Sequence, residues 1–319
     1  MNFFWFNVVT ATATATATAS VVTSCTQRKS AWGRLDLVQL PQTREVERLA
    51  DAWRVLVSRA VPMGPAKSLY QGRSIADTAA AAAYLGASWY VVSAGLGLVR
   101  SDQLVPAYEC TVVTGSELGS RLNVLGATAT DWWNGVTSHQ PYPLSRLVAQ
   151  SPTFLALPST YLRMVQDDLA RVSPVNAERL RIFTSTAGVR CVPEHLVDCV
   201  MPYDDRLESL PNYAGTRSDF AQRALRHFVE ALGAASLTLE EARAAVSEAL
   251  APLAQRRRVA GRRMSNDEIR RVLTEQWSQH GGSCTRLLRY LRDDARISCE
   301  QRRFSRIWND LAAELGARR

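Results

Sequence analysis

The chain has 319 residues, of which 46% are hydrophobic and 21% are charged, values typical of a globular protein with one large domain and a smaller one. No apolar run approaches the roughly eighteen residues of a membrane-spanning helix. We therefore expect no membrane association. The six cysteines and four histidines lack the spacings of metal sites, so we also expect no metal, no cofactor and a cytoplasmic location. The net charge of +8 lies entirely in residues 251–319, with 16 arginines against 8 acidic residues, a distribution typical of a nucleic-acid-binding segment on a neutral body. An arginine-rich helical tail without a ligand is the alternative.

The chain begins with a low-complexity leader, residues 1–19, which contains a Thr-Ala repeat. Short apolar runs then alternate with helical patterns from residue 20 to about residue 190. The predicted strands lie at 20–25, 89–99, 152–159 and 180–188, with the second and fourth running into loops; the predicted helices lie at 43–60, 75–87 and 160–172. This alternation predicts an α/β domain, residues 20–235, in which helices flank a sheet rich in parallel strands.

Each predicted strand ends in small, hydrogen-bonding or glycine residues. These ends are Ser24-Cys25-Thr26, Ser93-Ala94-Gly95, Pro158-Ser159-Thr160 and Ser185-Thr186-Ala187-Gly188. Ligands of open parallel sheets bind beyond the carboxyl ends of the strands. We therefore expect the four ends to form one pocket, although any single one is also an ordinary turn or helix cap.

Residues 236–319 are predicted to form a basic, wholly helical domain that binds DNA. The arginine-rich run 256–263 is interpreted as a basic linker, and a short turn at 293–298 joins the last two helices. This spacing is typical of a helix-turn-helix. The arginines expected to contact DNA are Arg286, Arg289, Arg302, Arg303 and Arg306, and the side chains expected to pack inward are Phe304, Ile307, Trp308 and Leu311.

Several segments together resemble a known family. They are SCTQRK (24–29), LYQGR (69–73), WYVVSAGLGLVRSDQLVPAYECTV (89–112), PSTYLRMVQDDL (158–169) and GTRSDFAQRALRHF (215–228). The set, which covers roughly residues 20–230, resembles the bacterial YaaA-like proteins, which are similar to the base-modifying domain of archaeosine synthases and to the uracil-DNA glycosylase fold. The segment 281–304 resembles tails of some relatives. The resemblance implies a uracil-DNA glycosylase-like fold with a pocket that handles a nucleobase.

The resemblance also implies a role for Lys29, one of only two lysines in the chain. In the archaeosine enzymes a Cys-x-x-x-Lys element supplies the reactive lysine, and Cys25 and Lys29 keep that spacing. Ser30 and Ala31 follow in place of a Lys-Pro-Tyr continuation, and no Asp or His follows the first strand as in uracil-DNA glycosylases. The group that activates water is therefore left open.

Cleavage of an N-glycosidic bond requires a carboxylate near the sugar and donors for the departing base, or else a lysine amine that attacks the sugar carbon. The candidate catalytic residues are Lys29, Asp102 and Glu109. The candidate substrate-binding residues are Ser24, Cys25, Thr26, Gln27, Tyr70, Gln71, Arg73, Ser93, Gly95, Tyr108, Ser159 and Tyr161. The tyrosines are expected to stack on an extruded base and the glutamines to bind its edge. A surface lysine, solvated carboxylates and core tyrosines are the alternatives.

The function predicted from these features is that of a DNA glycosylase that extrudes and excises a modified or damaged base and leaves an abasic site. Repair and defence against phage with modified DNA are both compatible uses. The alternatives are a lysine-dependent base-modifying transferase or amidotransferase, and a non-enzymatic, stress-related DNA-binding protein. DNA is the expected partner, and no obligate protein partner is evident.

Overall fold

The computed structural model describes residues 19–29, 35–113, 115–254 and 261–315, and the chain divides into two compact units at residue 255. Apart from Ala19, the predicted leader lies outside the described residues. Within the described ranges, no helix is long and apolar enough to cross a membrane.

The first unit contains a five-stranded mixed sheet with the strand order β3-β2-β1-β4-β5. The strands are β1 (Ser20–Ser24), β2 (Ser88–Ser93), β3 (Gly97–Arg100), β4 (Thr153–Ala156) and β5 (Leu180–Phe183). All neighbours pair in parallel except β2 and β3, which form an antiparallel hairpin. The predicted α/β fold with a mostly parallel, helix-flanked sheet is confirmed.

The hairpin differs from the predicted loop after β2. Gly97 has φ +74° and pairs with Ser93, so the chain reverses within three residues and returns along the sheet edge. A positive φ is accessible to glycine without steric cost. The reversal sends the residues after β3 toward the opposite end of the sheet from the carboxyl ends of the parallel strands.

Helices cover both faces of the sheet because successive strand residues point to opposite sides. Val21 and Phe154 are neighbours in register and belong to one buried cluster, whereas Val22 and Leu155 are neighbours in register and belong to the other. The helices are α1 (Val46–Ser58), α2 (Arg73–Leu85), α3 (Glu117–Leu125), α4 (Ala129–Val136), α5 (Pro143–Gln150), α6 (Ser159–Met164), α7 (Phe220–Arg226) and α8 (Leu239–Leu250). Helices α2, α7 and α8 bury the first cluster, and α1, α4 and α5 bury the second.

Short elements complete the first unit. The single helical turns are Leu37–Gln39, Ala66–Leu69, Gln166–Leu169, Pro174–Ala177, Thr186–Val189, Glu194–Cys199, Asp205–Ser209, Arg217–Asp219, His227–Ala231 and Ala234–Ser236. Two-residue strands pair Leu35–Asp36 with Tyr108–Glu109 and Gly64–Pro65 with Leu104–Val105. The predicted helix 160–172 is divided into α6 and the turn Gln166–Leu169.

The boundary between the units lies later than the predicted position at residue 235. Ala242, Val246 and Leu250 of α8 are fully buried in the same cluster as Val21 and Phe154. Helix α8 therefore belongs to the sheet unit. The change to helical composition at residue 235 marks where the strands of the first unit have ended. The hydrophobic core of that unit still includes α8, which follows this point in the chain.

The second unit has a separate hydrophobic core. Its helices are α9 (Asn266–Glu275), α10 (Cys284–Arg289), which a π-helical turn (Tyr290–Asp294) continues, and α11 (Gln301–Leu315). Phe304, Ile307 and Leu311 are buried as predicted, and the half-buried Trp308 stacks on Trp277. The unit is not wholly helical, because Arg262–Arg263 pairs in parallel with Ile297–Ser298. The predicted linker and the predicted interhelical turn each contribute one of these strands.

Candidate functional site

A cleft of about 610 Å³ opens at the carboxyl ends of the parallel strands. Its walls come from four segments far apart in the sequence: the end of β1 (24–28), the start of α2 (71–74), the start of α6 (158–161) and the segment before α7 (217–219). Thr111 and Val113 complete the lining. Two of the four predicted polar strand ends, those of β1 and β4, thus reach one cleft.

The segment after β1 has a defined shape. The Cys25 N–H donates to the Val92 carbonyl at 2.9 Å and extends the ladder between β1 and β2. The Arg28 carbonyl then accepts from the Thr26 hydroxyl at 2.7 Å and from the Gln71 N–H at 3.0 Å. These bonds fold the segment back against the start of α2, so that Thr26, Gln27 and Arg28 all border the cleft.

Cys25 and Tyr161 form the floor of the cleft. Their side chains are at most 7% exposed, and the Cys25 Sγ lies 2.9 Å from the Tyr161 Oη in a hydrogen bond. Burial raises the pKa of Tyr161 well above the ordinary value. Tyr161 therefore stays a neutral phenol near pH 7 and offers a hydroxyl to a sulfur or to a ligand in the cleft.

Lys29 is buried beside Tyr108 and is not among the described residues that line the cleft. Its side chain is 6% exposed, and its Nζ lies 4.7 Å from the centroid of the Tyr108 ring. The Nζ has no hydrogen-bond partner among the described residues. A buried ammonium without an acceptor is costly, and contact with an aromatic face recovers part of that cost.

Tyr70 and Tyr108 do not have the predicted exposed ring faces. They are 2% and 0% exposed, and the Tyr108 hydroxyl joins the Tyr70 hydroxyl at 3.0 Å and the Ser93 hydroxyl at 2.6 Å. Burial raises the pKa of both tyrosines. A Cβ at Gly95 would lie 2.7 Å from the Tyr108 ring, so the turn after β2 packs tightly against it. Tyr70, Ser93, Gly95 and Tyr108 thus form the support of the site. Of the three predicted tyrosines, Tyr161 is the one that lines the cleft.

The two predicted catalytic carboxylates do not line the cleft. Asp102 follows the antiparallel strand β3, whose last residue, Arg100, pairs with Tyr90, so it lies at the opposite end of the sheet. Its side chain is 55% exposed and bonds to Arg100 at 2.5 Å, a contact that lowers the pKa of Asp102. Glu109 is half-buried in the short strand opposite Asp36. The prediction failed for Asp102 because the sequence does not reveal the direction of β3.

Arg73 borders the cleft, but its guanidinium is already engaged. It donates to the carbonyls of Ala214 at 2.5 Å and Asn212 at 3.2 Å, and its Nε lies 3.4 Å from Asp77. Arg73 therefore holds the segment before α7. Ser159, the first residue of α6, is half-buried and is not among the described residues that line the cleft.

The wall formed by Arg217, Ser218 and Asp219 was not predicted from the sequence. The Asp219 Oδ1 accepts from the fully buried Arg223 Nε at 2.7 Å and from the Thr216 N–H at 2.9 Å. Arg223 also bonds to Glu208 at 2.8 Å and to the carbonyls of Tyr213 and Thr216. Among the described lining residues, Asp219 is the one carboxylate. Asp219 lies within 215–228, one of the segments that resemble YaaA-like proteins, and this resemblance was the only sequence feature that could have indicated it.

The predicted DNA-binding arginines of the second unit differ in their surroundings. Arg286, Arg289 and Arg306 are exposed. Arg303 instead donates to the Asn266 Oδ1 at 2.6 Å and to the Met264 carbonyl at 2.7 Å, so it joins α11 to the start of α9. The side chain of Arg302 lies outside the described part of the chain.

No group of three or more His, Cys, Asp or Glu side chains within the described ranges is arranged to hold a metal ion. Comparison of the chain with protein-family models, with curated proteins and with solved structures finds no match. The resemblance to YaaA-like proteins and to uracil-DNA glycosylases therefore stays a prediction.

Proposed function

We propose that the protein is a DNA glycosylase that receives an extruded, modified or damaged base in the cleft and cleaves its N-glycosidic bond. The observation that carries the proposal is a cleft of about 610 Å³ with amide, thiol and hydroxyl groups around it. Pockets for small organic groups commonly measure about 300–1,000 Å³ and combine apolar walls with a few polar contacts. Gln27 and Gln71 offer amide groups to the base edge, and Tyr161 offers a hydroxyl.

Asp219 is the residue we assign to position the attacking water. Its Oδ1 is held by Arg223 and by the Thr216 N–H, whereas its Oδ2 accepts no hydrogen bond from any described residue. A fixed carboxylate with one available oxygen can orient water and stabilise the positive charge that develops on the sugar. Asp219 takes the role that the sequence analysis gave to Asp102.

Lys29 is the residue we assign to stabilise the departing base. Negative charge grows on the base as the bond breaks, and the Lys29 ammonium supplies positive charge from its buried position beside Tyr108. Because its Nζ does not border the cleft, the amine acts through its field and through Tyr108, on whose ring it lies.

A lysine-dependent base-modifying transferase is the second candidate. The buried amine, which has no hydrogen-bond partner among the described residues, favours it, since a desolvated lysine is a suitable nucleophile. The fate of the base separates the two candidates, because a glycosylase releases the base whereas a transferase keeps the glycosidic bond; a lysine–DNA adduct trapped by borohydride would indicate a glycosylase in which Lys29 attacks the sugar. A transferase would also change the mass of the base and leave the backbone resistant to alkali.

DNA affinity is assigned to the second unit. The exposed arginines Arg286, Arg289 and Arg306 would neutralise phosphates, and binding would weaken steeply with salt. The triple substitution of these residues by glutamine should lower DNA affinity and flatten its salt dependence. Unchanged affinity at every salt concentration would remove DNA binding from this surface.

The decisive experiment incubates the full-length protein with DNAs from several bacteria and from phages with modified bases, then measures abasic sites by alkali-induced strand breaks. Asp219→Asn should lose the activity, and Asp102→Asn, which changes a carboxylate at the other end of the sheet, should keep it. If the wild-type protein binds these DNAs but forms no abasic sites on any of them, the glycosylase proposal is wrong and a binding protein or transferase is the better description.

A further inference from the structure

Two arginines at the cleft have guanidiniums that form no hydrogen bond or ion pair with any described residue. They are Arg28 and Arg217, which are exposed and line the same cleft from different segments. The nearby Arg73 and Arg223, by contrast, use their guanidiniums within the fold. Two guanidiniums without a partner among the described residues, around one cleft, provide donors that match phosphate oxygens.

The start of α2 adds a further feature that favours an anion. This helix is 13 residues long, its N-cap is Gly72, and no side chain caps it. Gly72, Arg73 and Ser74 border the cleft, so the first turn of the helix faces it. Unsatisfied N–H groups and the helix dipole favour negative charge at such an end.

The segment that carries Arg217 is fixed before any ligand binds. Arg73 reaches it from α2 and Arg223 from α7, and the Gly215 N–H donates to Glu208 at 2.8 Å. A Cβ at Gly215 would lie 2.6 Å from the Arg223 Nε and 2.9 Å from the Arg73 Nη1, so the two guanidiniums enclose this glycine. The position of Arg217 is therefore determined by contacts on both sides of it in the chain.

The negative charge within the cleft is already compensated. Asp219 is the one carboxylate among the described lining residues, and the buried Arg223 neutralises it at 2.7 Å. Arg28 and Arg217 thus leave the cleft with an excess of positive charge, which suits a phosphate ester better than a neutral nucleoside.

We infer that the cleft binds a phosphate group of its substrate between Arg28 and Arg217. The inference rests on the proposed function, in which the cleft receives a nucleobase, and it makes a nucleotide rather than a base or nucleoside the unit that is recognised. The phosphate belongs either to a polynucleotide or to a free mononucleotide, and both present the same oxygens.

The test uses the full-length protein, a dicarbonyl reagent that modifies exposed arginines, and mass spectrometry of the resulting peptides. Inorganic phosphate, which needs no base, is the first probe. At about ten times its Kd it should slow modification of Arg28 and Arg217 by roughly tenfold. Arg59 is the control, because it is exposed, makes no side-chain contact with a described residue and does not line the cleft.

If both arginines bind the same phosphate, removal of one arginine should also weaken the protection of the other. In Arg217→Gln the affinity for phosphate should fall by roughly tenfold, the loss expected for one charge-assisted hydrogen bond, so the same phosphate concentration should slow modification of Arg28 only about twofold. Arg59→Gln should leave the protection of Arg28 unchanged. The inference is overturned if phosphate leaves both modification rates unaltered, or if Arg59 is protected to the same extent.

Two further probes identify the source of the phosphate. A five-residue thymidine oligonucleotide that protects both arginines at concentrations where thymidine 5′-monophosphate does not would indicate a polynucleotide, and the reverse would indicate a free nucleotide. If phosphate protects both arginines but no DNA acquires abasic sites, the phosphate site is supported and the glycosylase proposal is rejected. If Arg28→Gln and Arg217→Gln form abasic sites as well as the wild-type protein does and phosphate protects neither arginine, the glycosylase proposal is supported and the phosphate site is rejected.

Discussion

Lys29→Met should make the protein more stable and less active. The Lys29 Nζ is buried without a hydrogen-bond acceptor in the part of the chain that the structure describes, which costs about 1–3 kcal/mol for a neutral donor and more for a charge. The contact with the Tyr108 ring at 4.7 Å returns about 0.5–2 kcal/mol. Methionine has a similar length, needs no acceptor and keeps a favourable sulfur–ring contact of about 0.3–1.5 kcal/mol. The free energy of unfolding should therefore rise by about 1 kcal/mol, with a melting temperature about 2–4 °C higher.

Urea denaturation followed by tryptophan fluorescence measures this change, and abasic-site formation measures the activity. The second lysine gives the matched control: Lys67 is exposed, so Lys67→Met should change stability by less than about 0.5 kcal/mol and leave activity intact. Base release by Lys29→Met should fall at least tenfold, because methionine keeps the packing but removes the charge that stabilises the departing base. A loss of stability above about 1 kcal/mol would show that the ammonium is satisfied in solution, and full activity would remove Lys29 from the mechanism.

Three further substitutions test the framework of the site. Gly215→Ala should destabilise the protein by about 1–3 kcal/mol and weaken activity, since its Cβ would meet the buried Arg223; an unaltered urea midpoint would mean that the arginines can move. Asp168→Ala should cost about 2–3 kcal/mol, because the buried Asp168 accepts the Leu144 and Ser145 N–H groups at the start of α5, each at 2.9 Å; calorimetry at pH 7 reads this loss. Burial lowers the pKa of His227 in the folded protein from its ordinary value of 6.5. As the pH falls below about 6.5, His227 is therefore protonated in the unfolded chain before it is protonated in the folded one, and the free energy of unfolding decreases. His227→Phe should flatten the pH dependence of unfolding below pH 6.5, and an unchanged slope would assign it to other groups.

The sequence alone was sufficient for the class of fold and for one side of the cleft. Val21, Val22 and the polar residues after them predict a buried strand that ends in hydrogen-bonding groups, because strand burial and strand ends are local patterns. The parallel sheet and the position of Cys25 at its carboxyl edge follow from that alternation of strands and helices. The inward face of α11 was predicted for the same reason, since helical periodicity is a property of neighbouring residues.

The tertiary structure decided which polar residues meet. A hairpin at Gly97 reverses β3 and carries Asp102 to the far end of the sheet, a direction that no local pattern records. Asp219 reaches the cleft from nearly two hundred residues beyond β1, and Arg223 fixes it there through a buried ion pair. Tyr108 looks the same in sequence as an exposed tyrosine, but it is fully buried because the sheet and α1 close around it. Burial, charge compensation and strand direction depend on contacts between distant segments, so only the folded chain determines them.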